Sequence, residues 1–186
     1  EAIAQIISGD KNPSGKLPFS FPKKLKDNAA HFYGETSYPG VNMTQHYKED
    51  ILVGYRWFDT KKIAPQYAFG YGLSYTNFKL SDIKTDKNVY SLTDKITVHC
   101  TVTNNGNRQG AEVIQVYIGK LNSDVKRASK ELKGFKKVFL KSYKKETAKI
   151  EINVSDLAFY NEKISDWAVE KGTYSIHVGN ASDSIS

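Results

Sequence analysis

A chain of 186 residues with 39% hydrophobic and 12% aromatic side chains has room for one full domain and part of another, and it can bury a real core, which excludes intrinsic disorder. Its formal charge of +7 comes from 24 lysines and only Arg56, Arg108 and Arg127, with the lysines interleaved with acids, so it describes a solvated surface and not a nucleic-acid-reading face. No apolar run approaches the ~18 residues of a membrane-crossing helix.

Taken in chain order, residues 1–8 read as the end of an amphipathic helix, with Ile3, Ile6 and Ile7 on one face and Gly9 placed to stop it. The chain does not begin with methionine and shows no basic and apolar leader, the pattern of a piece of a longer polypeptide. Residues 10–66 hold all five prolines and no sustained period, and so read as a long connecting segment that leans on a surface elsewhere. From Phe78 onward the period is two. Ile96, Val98, Cys100 and Val102 alternate with polar residues, as do Ala148, Ile150, Ile152 and Val154, and then Tyr174, Ile176 and Val178. The run Val113-Ile114-Gln115-Val116-Tyr117-Ile118 suits a central strand, and Ser155-Asp156 opens a capped helical turn. With turn signals around Asn104-Asn105-Gly106, Asn122-Ser123-Asp124 and Lys171-Gly172, the pattern predicts a mainly β fold, an immunoglobulin-like sandwich of about seven strands.

Cys100 is the single cysteine and falls on the apolar phase of its strand, so a buried core thiol is expected and an intrachain disulfide is excluded. His31, His46, His99 and His177 lack ligand spacing, and no metal site is expected. Glu35, Glu49, Asp50 and Asp59 read as loop carboxylates held by hydrogen bonds and ion pairs. Thirteen aromatics crowd the first 75 residues, too many for an aperiodic segment to bury by itself. Docking on a partner or self-association is therefore expected of the whole chain, whereas residues 77–186 alone are expected to stay monomeric. Tyr55, Arg56 and Trp57 are candidates for a substrate entrance, because aromatic faces stack on sugar rings; the competing reading has them pinning the segment by burial.

Five segments carry a resemblance. They are Asn12-Pro13-Ser14-Gly15-Lys16-Leu17-Pro18-Phe19-Ser20-Phe21-Pro22, Gly54-Tyr55-Arg56-Trp57-Phe58-Asp59 with Phe69-Gly70-Tyr71-Gly72-Leu73-Ser74-Tyr75-Thr76, Val102-Thr103-Asn104-Asn105-Gly106 through Gly110-Ala111-Glu112-Val113, Lys130-Glu131-Leu132-Lys133-Gly134-Phe135, and Val138-Phe139-Leu140. In this order and spacing the chain resembles the C-terminal part of the family 3 glycoside hydrolases, the β-glucosidase-like enzymes. The resemblance implies that residues 1–75 are the loop-rich end of a second α/β sandwich domain with its connecting segment, and that residues 76–186 are a fibronectin type III-like domain. For the parent protein it implies a retaining hydrolase of β-linked glycosides working through a covalent glycosyl-enzyme without metal or cofactor. It further implies a catalytic barrel and second domain as this region's partners. The lysine-rich, proline-poor style reads as bacterial, and a periplasmic or secreted location is expected of the parent over a cytoplasmic one.

The positions that match the family carry neither its nucleophile nor its acid/base glutamate, so the segment alone is expected to be an inactive brace. The tripeptide Ser165-Asp166-Trp167 looks like the family's nucleophile motif but falls in a late hairpin, where Trp167 is expected in the sandwich core and Asp166 in solvent. Asp50 departs from the family's frequent glycine after Tyr47-Lys48-Glu49, which puts the local backbone in question. The reading from another class is a stand-alone carbohydrate-binding or adhesion module of fibronectin-like fold. An exposed strand edge joining other proteins is a third.

Overall fold

The structure, a computed structural model, describes residues 1–185. The helices are α1 (Ala2–Ile7), α2 (Ala29–Phe32) and α3 (Tyr55–Lys61). The strands are β1 (Phe78–Thr85), β2 (Lys95–Asn104), β3 (Gly110–Lys120), β4 (Glu131–Leu140), β5 (Lys145–Asn153), β6 (Phe159–Asn161), β7 (Asp166–Ala168), β8 (Tyr174–Ala181) and β9 (Ser184–Ile185). One sheet runs β1-β2-β5 and the other β4-β3-β8-β9, seven strands in two layers, while β6 and β7 form a separate hairpin.

Period-two patterning places the core. In the antiparallel register Ile96 faces Ile152, Val98 faces Ile150 and Cys100 faces Ala148, and all six side chains are buried. Against them pack Ile114, Val116 and Ile118 of β3, Val138 and Leu140 of β4, and Val178 of β8. The Cys100 thiol is pushed up by this burial, which makes it an inert packing group. The predicted helical turn is the 3-10 turn Val154–Leu157, whose Val154 and Leu157 close one end of the core.

The continuous apolar run of β3 has a further cause. Its even positions face the sandwich interior, but Gln115 and Tyr117 on the opposite phase are also buried. Residues 1–75 cover that outer face. The backbones around Leu17–Phe21 and Tyr67–Tyr71 run alongside each other through bonds such as Leu17 N–H to Tyr71 O and Phe21 N–H to Tyr67 O. Phe69 O then accepts from Ser182 N–H, and Gly70, at φ +80°, lies so close to Gln115 that a Cβ there would collide with the side-chain amide. The expectation that the first part leans only on a missing surface is thus corrected: the sandwich supplies one side of its support.

The Trp167 expectation is overturned. Its strand β7 pairs only with β6, outside both sheets, so no second layer lies opposite to bury it, and the residue is 66% exposed.

Candidate functional site

Two of the motifs meet side by side. In α3, which starts at Gly54 (φ +59°) and ends at the left-handed Lys62, Trp57 and Phe58 turn inward, while Tyr55, Arg56, Asp59 and Thr60 reach β4 and the residues just before it. Leu132 N–H donates to Tyr55 Oη at 2.7 Å, Arg56 lies 3.4 Å from Glu131, Lys130 lies 2.7 Å from Asp59, and Ser129 N–H donates to Thr60 Oγ1 at 3.1 Å. The helix and the Lys130-Glu131-Leu132 run are zipped residue by residue. Burial pushes the Asp59 carboxyl up, and Lys130 offsets this only in part. Burial also acts to raise Glu131, but Lys133, Arg56 and Arg127 outweigh it and hold that carboxyl below its ordinary range.

A second set of contacts fixes the junction itself. Asn12 Oδ1 accepts from Tyr75 N–H at 2.8 Å and Ser74 Oγ at 3.0 Å, and its Nδ2 donates to Gln109 O at 2.9 Å. Lys16 reaches Glu112 at 2.7 Å, and Asn180 donates to the other carboxylate oxygen. The fully buried Asn104 accepts from Thr76 Oγ1 at 2.6 Å and donates to Arg108 O at 2.7 Å. The role of the buried Asn104 amide was missed from sequence; its signal was an Asn in phase with Val98, Cys100 and Val102, which must find partners once buried.

The three entrance candidates have different surroundings. Trp57 is 0% exposed, with edge contacts to Phe32 and Tyr33 and its indole N–H donating to Asp27 O at 2.9 Å. Tyr55 is half-buried, stacked on Phe69 at 4.9 Å and edge-on to Tyr117 at 5.7 Å. Arg56 keeps 40% of its side chain in solvent. So the structure does not bring the three together on an open face, and Trp57 in particular has no free ring face for a sugar. Of the four loop acids, Asp59 and Asp50 are paired, Asp50 with Lys126 at 2.9 Å. Glu49 is buried, and its Oε2, like Ser37 Oγ, has no partner among the described residues. Asp50 takes φ +58°, the left-handed geometry natural to the glycine that it replaces in the motif. His177 is half-buried, and burial followed by the Lys130 charge pushes its imidazole down.

Other apolar side chains of the first part are open: Phe19, Leu25, Tyr38, Met43, Tyr47 and Val53 all stand exposed.

Residues 1–75 match the family model of the glycosyl hydrolase family 3 C-terminal domain, and residues 112–182 that of the fibronectin type III-like domain. The chain is a C-terminal region of a family 3 glycoside hydrolase. It is 45% identical over 185 residues to a β-glucosidase of Bacteroides ovatus, covering 100% of this chain and 25% of that protein. An exo-α-(1→6)-L-arabinopyranosidase of Bifidobacterium breve is 40% identical over 184 residues, covering 99% of this chain and 23% of that one. Among solved structures, the β-glucosidase DesR of Streptomyces venezuelae in complex with D-glucose superposes with a TM-score of 0.92 at 38% identity, across 100% of this chain and 24% of DesR. The chain thus spans about a quarter of the length of the relatives it matches. Its family 3 motifs are, at the level of contacts, the zip and the junction clamp just described.

Proposed function

We propose that this region braces the catalytic domains of a retaining β-glucosidase-like hydrolase and supplies no catalytic carboxylate itself. The observation that carries this reading is the double character of residues 1–75, part of which is zipped to the sandwich while many of its large apolar side chains stand exposed. Apolar patches of this kind mark docking faces, and the occupants proposed are the second domain and the catalytic barrel. The buried, unpartnered Glu49 Oε2 and Ser37 Oγ support the same reading, because orphaned buried polar atoms cost about 1–3 kcal/mol each unless a neighbour supplies partners.

A retaining mechanism needs two carboxyl groups about 5–5.5 Å apart across the scissile bond. Asp59 and Glu131 are engaged by cations in the zip, which suits them to hold α3 in place and not to attack an anomeric carbon. The names of two relatives differ in the sugar although both share this region at 45% and 40% identity, which supports placing sugar selection upstream. The test is to assay the 186-residue chain and its parent on aryl β-glucosides. Turnover by the parent and none by the chain is expected; turnover by the chain that disappears in Asp166→Asn overturns the reading.

A further inference from the structure

We propose that the β6–β7 hairpin and the cleft beneath it form a binding site for a β-linked oligosaccharide. The observations begin with two aromatic rings that none of the described residues buries. Trp167 and Tyr160 stand 66% and 52% exposed, paired edge-to-face at 5.8 Å. They rim a cleft of about 670 Å³ whose lining includes Arg56, Asp50, Asn161 and Glu162 and whose inner wall carries Arg127 and Glu131. That volume accommodates a few sugar units, and sites of this size combine an aromatic surface with a few fixed polar groups.

The charge arrangement selects the ligand class. Lys126 pairs with Asp50 at 2.9 Å, Arg56 with Glu131 at 3.4 Å, and Arg127 with both Glu131 at 3.6 Å and Glu170 at 3.3 Å. With Lys163 and Glu162 of the lining counted in, cations and anions nearly balance, so the cleft has little field to draw a phosphate or an acidic peptide. What it offers is hydrogen-bond donors and acceptors at fixed positions beside a flat apolar ring, the chemistry that fits a neutral polyhydroxylated chain. Asn161, Glu162 and Lys163 add hydrogen-bonding groups to a lining that also carries Ile51, Val125 and Phe159. The β-linkage rests on the proposed function of the parent; the cleft itself does not.

The chain contains a built-in reporter. Of its two tryptophans, Trp57 is sealed in a core and only Trp167 can meet a ligand. Titration of the 186-residue chain with cellotetraose is expected to give a saturable change in tryptophan emission, with maltotetraose weaker. By calorimetry, Trp167→Ala abolishes binding, Tyr160→Ala weakens it about tenfold, and Trp167→Phe, which keeps a stacking face, retains it. In the parent, Trp167→Ala is expected to lower kcat/KM on long oligosaccharides while leaving aryl glucosides unaffected. No saturable binding, equal binding by Trp167→Ala, or shielding of Trp167 from a soluble quencher in the parent overturns the proposal, the last by making the hairpin an interdomain contact. If the parent cleaves β-glucosides while the cleft stays silent, this inference alone fails. If the parent is inactive on them and the cleft prefers another glycan, the proposed function and the β-linked ligand class fail together.

Discussion

Asp50 occupies a left-handed backbone position at φ +58°, where a Cβ crowds the neighbouring carbonyl and glycine does not. Asp50→Gly is therefore expected to melt about 2–4 °C above Asp50→Ala, and equal melting temperatures in calorimetry would show that the backbone relaxes instead. The two tryptophans make the same kind of local argument. Trp57→Ala removes a fully buried ring together with its hydrogen bond to Asp27 O and is expected to cost about 3–5 kcal/mol. Trp167→Ala is expected to stay within ~0.5 kcal/mol, since that ring is exposed; urea melts of both variants check the contrast. Sequence alone placed Trp167 in the core and left Trp57 between a substrate entrance and burial. Alternation tells which residues share a strand face, but whether that face meets another layer is a property of the sheet, and β7 belongs to neither layer.

At the scale of elements, the strands and the helix of residues 1–8 were legible because their periods are local. The zip between α3 and β4 was not, although both strings were visible, because its partners lie about 70 residues apart and nothing in either string specifies the other. Its two carboxyls give pH dependences of opposite sign. Glu131 is held below its ordinary 4.5, so its stabilisation is complete above that value and is lost as pH falls through the folded-state value. Asp59 is raised above 3.8, so its penalty is complete above the raised value and is lifted as pH falls through it. Below pH 4.5, stability is therefore expected to fall less steeply in Glu131→Gln than in the wild type and more steeply in Asp59→Asn. Denaturation midpoints between pH 7 and 3 decide it, and parallel profiles for all three proteins would show the zip to be open in solution.

For the whole molecule, the question is what each part does without the other. The sandwich core is self-contained, but the outer face of β3 is not: Tyr117 and Gln115 are buried only because residues 1–75 lie over them, with Tyr55 and Gly70 in contact. Residues 77–186 alone would expose this face together with the unpaired Lys130, so the sequence-based expectation of a quiet monomer gives way to a less stable, association-prone domain. In the full chain the apolar side chains left open in the first part include Met43, Tyr47 and Leu25. The 186-residue chain is accordingly expected to self-associate with rising concentration, and to return to a single 1:1 complex when the upstream domains of its parent are added in trans. Light scattering measures both steps. A monodisperse monomer at all concentrations, with no binding to the upstream domains, would mean that the exposed surface of residues 1–75 is not a docking face and that the brace has nothing to hold.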